Sequence, residues 1–127
     1  MKPNGNPAVQ TWLDQQAPET LYLTATSLSG LLVGIEILPD SKRKEGLDAA
    51  LGELLARLFG SRILPFDQRA AMAYAPLVSR ARSAGRLISV ADAQIAVIAA
   101  VHGFTVATRD TAPFVAAGVP IINPWGK

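Results

Sequence analysis

The chain has 127 residues, half of them hydrophobic, which suits one compact domain with a real core and is too short for two. It contains no cysteine, so a disulfide framework and any thiolate metal site are excluded, and every apolar run is broken well short of a bilayer span or a signal peptide. A cytoplasmic protein with no membrane association is expected. Twelve Lys and Arg against ten Asp and Glu give a formal charge of +2, too mild to imply a nucleic-acid partner. The basic residues gather in two knots, Lys42-Arg43-Lys44 and Arg80, Arg82 and Arg86, which read either as solvated helix ends and loops or as RNA backbone contacts.

The spacing of Ala8, Val9, Trp12 and Leu13 predicts a short amphipathic helix from Asn6 to Gln16, with Pro18 ending the pattern. Thr20 to Thr26 is rich in β-formers and predicts a strand that runs into a helix over Ser27 to Leu38. Leucines at 47, 51, 54, 55 and 58 mark a second helix, stopped by Gly60. Arg62 to Phe66 is a strand candidate, and Asp67 caps a helix from Gln68 to about Ala84. Ser89 opens a helix to about His102, Phe104 to Thr108 is a strand, and Val119 to Ile122 is the last strand. Strands alternating with helices, without hairpin signals, predict an α/β domain with a mainly parallel sheet flanked by helices on both faces.

In such a fold, ligands collect at the carboxyl ends of the strands. The helix opened by Ser89 is about 20 Å long, and the strand after it runs back over a similar distance. Asp92, in the first turn of that helix, and Asp110, just past the strand, are therefore expected to converge on one edge. Hard carboxylate oxygens there suit a hydrated Mg²⁺ or Mn²⁺, which activates water and stabilises charge on a displaced phosphate. A local reading stands beside this one: Ser89-Val90-Ala91-Asp92 fits a capping box, and Asp110 fits an Asx turn. His102 reads as a helix C-terminal residue, not a catalyst, and Trp12 and Trp125 as packing residues, not base-stacking platforms. The glycines form neither a P-loop nor a dinucleotide fingerprint.

The segments Ile88-Ser89-Val90-Ala91-Asp92-Ala93-Gln94-Ile95-Ala96, Ala107-Thr108-Arg109-Asp110-Thr111 with Phe114, and Gly118-Val119-Pro120-Ile121-Ile122-Asn123-Pro124-Trp125 resemble the VapC/FitB-like PIN toxins. The likeness extends through Asn6-Pro7-Ala8-Val9, Leu21-Tyr22-Leu23-Thr24-Ala25 and Ile63-Leu64-Pro65-Phe66-Asp67, so it covers the chain from about Lys2. It implies a PIN-like fold and an Mg²⁺- or Mn²⁺-dependent endoribonuclease acting on RNA, the toxin of a type II toxin-antitoxin pair. It also implies a homodimer held inactive by a cognate antitoxin, with operator DNA contacted only through that antitoxin. Asp92 and Asp110 carry over as metal-binding, catalytic acidic residues.

Two family positions are not matched. The opening strand that ends in Asp-Thr-Asn has no counterpart, so residues 1–127 read as a single PIN-like domain, N-terminally incomplete, without its first central strand. The glutamate expected in a Leu-Ala-Glu-Leu-like pattern falls at Gly30, within Leu28-Ser29-Gly30-Leu31. Glu36 does not replace it, since it lies about 240° around the helix from Gly30. With half the acidic cluster gone, severely impaired catalysis is expected. Loss of a central strand predicts either direct pairing of its neighbours or recruitment of a strand from another copy. Two other functions compete with an active toxin: a catalytically inactive PIN-like module that binds an antitoxin, and a PIN-type nuclease of RNA processing.

Overall fold

The computed structural model describes residues 7–125, which fall into two compact units. Lys2 and Asn6 lie outside the described residues. One unit combines residues 7–16 with residues from Phe66 onward, and the other is Ala17–Pro65.

The second unit opens with a 3₁₀ turn at Pro18–Thr20 and continues with β1 (Leu23–Thr24), α2 (Ala25–Glu36), α3 (Lys42–Leu54) and β2 (Ile63–Leu64). Thr24 closes the strand early because its side chain accepts the Ser27 amide, capping α2 ahead of the expected start. Helix α3 starts at Lys42, before the leucine pattern begins, because the Ser41 side chain caps it. Its polar first turn is held by two Lys44 contacts: Nζ donates to the Glu36 carbonyl at 3.0 Å and pairs with Asp40 at 3.5 Å. The basic knot at 42–44 is thus partly a helix-to-helix tie. The leucine helix does not stay α-helical to Gly60; Leu55–Phe59 widens into a π turn, closed by the Gly60 amide on the Leu55 carbonyl at 2.6 Å. Arg62 joins this turn to the start of β1, with Nε donating to the Leu21 carbonyl at 2.9 Å and Nη2 donating to the Leu58 carbonyl. Leu51 and Leu58 are the buried side chains of this unit.

The first unit contains α1 (Pro7–Asp14), α4 (Gln68–Ser83), α5 (Val90–His102), β3 (Val106–Ala107), α6 (Ala112–Ala116) and β4 (Ile121–Ile122). Its core is the contact of α4 with α5, where the fully buried Ala70, Ala81, Ala93 and Ala96 are small enough for close approach. Val97 and Ile98 are also fully buried, and each stabilises the fold by about 1.5–3 kcal/mol. Helix α5 is bounded as its sequence predicts: the Ser89 side chain accepts the Asp92 amide, and Gly103 ends it at φ 70°, in the left-handed region. Helix α6 has no apolar periodicity long enough to announce it. Pro113 and buried Phe114 fix it, and it packs on both α4 and α5.

The strands pair β1 with β2 and β3 with β4, both parallel, with Leu23 opposite Ile63 and Val106 opposite Ile121. The parallel α/β character is as expected, but each strand is two residues long and the described ladders form two separate two-stranded sheets.

Candidate functional site

Asp92 lies in the first turn of α5, partly exposed, with the buried Ala93 and Ala96 beside it on the helix. Its amide donates to the Ser89 hydroxyl at 3.1 Å, so half of a capping box is formed. Among the described residues no hydrogen bond or ion pair involves its carboxylate. The reciprocal half, in which that carboxylate takes up the Ser89 amide, is not made. With no partner among the described residues, the carboxylate stands at the partial positive charge of the α5 N-terminus.

Asp110 follows β3 and is exposed. The turn carrying it is closed by Thr108, whose hydroxyl donates to the Asp110 carbonyl at 3.3 Å, and the Thr108 amide continues the β3–β4 ladder onto the Ile122 carbonyl at 3.0 Å. The backbone of Asp110 is therefore engaged, and its carboxylate has no partner among the described residues. An Asx-turn bond from that side chain is not formed.

Both acidic residues belong to one compact unit, on elements that pack against α4: α5 carries Asp92, and α6 begins just after Asp110. Two carboxylates are the hard-oxygen donors that Mg²⁺ or Mn²⁺ accepts while keeping several waters, so their chemistry fits a hydrated, loosely held cation. No group of three or more His, Cys, Asp or Glu side chains able to hold a metal occurs among the described residues.

His102 is exposed at the C-terminal end of α5 and stacks on Phe104, with ring centroids 5.4 Å apart and an interplanar angle of 19°. Trp12 is half-buried and lines an open groove of about 500 Å³ with Pro7, Ala8, Thr11, Ile122 and Pro124. The basic knot at the end of α4 and just beyond it, Arg80, Arg82 and Arg86, is exposed, and Arg80 is also engaged: its Nη1 donates to the Ala117 carbonyl at 3.4 Å. No sequence signal marks that contact, because Arg80 and Ala117 meet only through tertiary packing. Gly30 is exposed in the middle of α2, and a Cβ built there meets nothing within 4 Å.

A PIN-domain family model matches residues 2–119. A VapC ribonuclease, Y4jK, of Sinorhizobium fredii is 49% identical over 119 residues, covering 93% of this chain and 84% of that protein. Toxin FitB of Neisseria gonorrhoeae is 42% identical over 125 residues, covering 98% of this chain and 90% of that one. Among solved structures, FitAB bound to an IR36 DNA fragment matches with a TM-score of 0.91 at 40% identity, over 99% of this chain and 88% of that one. No helix among the described residues is long and apolar enough to cross a membrane.

Proposed function

The chain belongs to the PIN-domain family, with VapC and FitB toxins as its relatives, and from that premise we propose that Asp92 and Asp110 are the surviving metal-binding carboxylates of a toxin-antitoxin ribonuclease. The observation that carries this reading is that both carboxylates are unengaged among the described residues, although the backbone of each is fixed by a hydrogen bond. A polar group that serves only a local turn or cap normally makes the bond that defines it.

A bound Mg²⁺ or Mn²⁺ supplies water activation and charge stabilisation at the scissile phosphate. The residues of the chain hold and aim. Asp92 is fixed by the buried body of α5, Asp110 by the β3–β4 ladder, and exposed Arg109 stands next to Asp110 where it can meet an RNA phosphate. Gly30 offers no ligand, so a cation held by the two carboxylates would be bound loosely and cleavage by this chain would be severely impaired. The protein acts in the cytoplasm as a homodimer, is held by a cognate antitoxin, and meets operator DNA only through it. FitAB, solved on a DNA fragment, is the relevant analogue.

A second reading, an inactive module that retains only antitoxin binding, is favoured by the lack of any three-residue metal-ligand group among the described residues. Cleavage of structured RNAs with and without Mg²⁺ or Mn²⁺, alongside Asp92→Asn and Asp110→Asn, separates the two. Weak metal-dependent cutting lost in both variants is the expected result. Cutting that survives both substitutions overturns the site, and no cutting by any form supports the inactive module.

A further inference from the structure

The helix that carries Asp92 and the helix that follows Asp110 both pack on α4. Helix α5, which carries Asp92, makes the most extensive helix contact of its unit with α4. Helix α6, which starts immediately beyond Asp110 and Thr111, packs on α4 and α5. It is five residues long, and its N-cap Thr111 makes no side-chain hydrogen bond to it, so its own backbone fixes it weakly. At its other end the chain turns through Gly118 at φ +77°, with the Val119 amide bonded to the Phe114 carbonyl. The Arg80 side chain lies against that turn: Nη1 donates to the Ala117 carbonyl at 3.4 Å, and a Cβ on Gly118 would stand 2.7 Å from Nη1 and 3.2 Å from Cδ. Among the described residues, this side-chain hydrogen bond ties α4 to the α6 segment.

We propose that Arg80 is a positioning residue for Asp110: by clasping the C-terminal end of α6 onto α4, it sets where the Asp110 end of that segment stands relative to Asp92. This role rests on the metal-site reading for its consequence, though not for its geometry. All three arginines of the knot are exposed, but Arg80 holds the Ala117 carbonyl, whereas Arg82 and Arg86 make no side-chain hydrogen bond or ion pair among the described residues. Because Arg80 acts on backbone and not on a ligand oxygen, its loss should be smaller than that of a group bonded directly to a metal ligand, which costs about 10- to 100-fold in affinity.

The test uses the full chain, isotope-labelled, as wild type, Arg80→Ala and Arg80→Lys. Without metal, amide exchange at Val115, Ala117 and Val119 is expected to be about tenfold faster in Arg80→Ala, with amide resonances of Asp110 and Thr111 displaced and those of Asp67 to Leu77 unmoved. Arg80→Lys, which keeps one donor able to reach the Ala117 carbonyl, should restore most of both effects. Unmoved Asp110 and Thr111 resonances in Arg80→Ala overturn the proposal. Mn²⁺ titration then follows paramagnetic broadening at Asp92 and Asp110, and Arg80→Ala is expected to weaken it about three- to tenfold. If wild type shows no broadening at either residue, the metal-site reading fails while the metal-free arm still decides the clasp. Broadening of equal strength in wild type and Arg80→Ala refutes the effect of Arg80 on the site.

Discussion

Ser89 and Asp92 form one half of a reciprocal pair: the Ser89 hydroxyl accepts the Asp92 amide at 3.1 Å, and the Asp92 carboxylate gives nothing back. Losing the cap and losing the carboxylate should therefore have different consequences. Ser89→Ala removes a made bond and should lower stability by about 1 kcal/mol. Asp92→Asn keeps the amide bond and forgoes only the favourable charge at the helix start, about 0.3–1 kcal/mol. Urea unfolding of both variants checks this. An Asp92→Asn loss larger than that of Ser89→Ala would mean that a full capping box forms in solution.

Gly118 and Gly103 both adopt positive φ, +77° and +70°, but only Gly118 is crowded. Gly103→Ala should cost about 1–2 kcal/mol for the left-handed backbone alone. Gly118→Ala should exceed it, because the new methyl must also displace the Arg80 guanidinium. Since that neighbour is the end of a flexible side chain, the excess should disappear in an Arg80→Ala background. A double-mutant cycle by thermal unfolding measures it, and additive effects would show that the two residues are not coupled.

At Gly30 the opposite sign is expected. The residue is exposed inside α2 with nothing near a built Cβ, so Gly30→Ala should stabilise the protein by about 0.5–1 kcal/mol through helix propensity and a less mobile unfolded chain. Gly30→Glu should fold equally well, which makes it a usable variant for asking whether an added carboxylate raises RNA cleavage. A lower melting temperature for either variant would contradict the open surroundings of this position.

Arg62 holds the turn after α3 to the entry of β1 through the Leu21 and Leu58 carbonyls. Arg62→Ala should cost about 1.5–3 kcal/mol, the range for hydrogen bonds made by a charged group. Arg62→Lys should recover only part, since one ammonium does not reproduce the planar fork. Hydrogen exchange within residues 17–65 should rise more than in α4 and α5; a uniform rise across the chain would assign Arg62 a different role.

What the sequence determined by itself were features with local causes. Ser89 and Gly103 bracket α5 and Asp67 starts α4 because a cap is made within a few residues of where it is read. The segments that carry the family likeness include Asp92 and Asp110, and it is the structure that places both in one compact unit. The π turn at Leu55–Phe59, the short helix α6 and the reduction of every strand to two residues were decided by tertiary packing. A five-residue helix fixed by Phe114, or a strand held by one neighbour, has no periodicity long enough to register. Arg80 shows the difference most directly: in sequence it is one of three clustered arginines, and only the approach of Gly118 gives its guanidinium a carbonyl to hold.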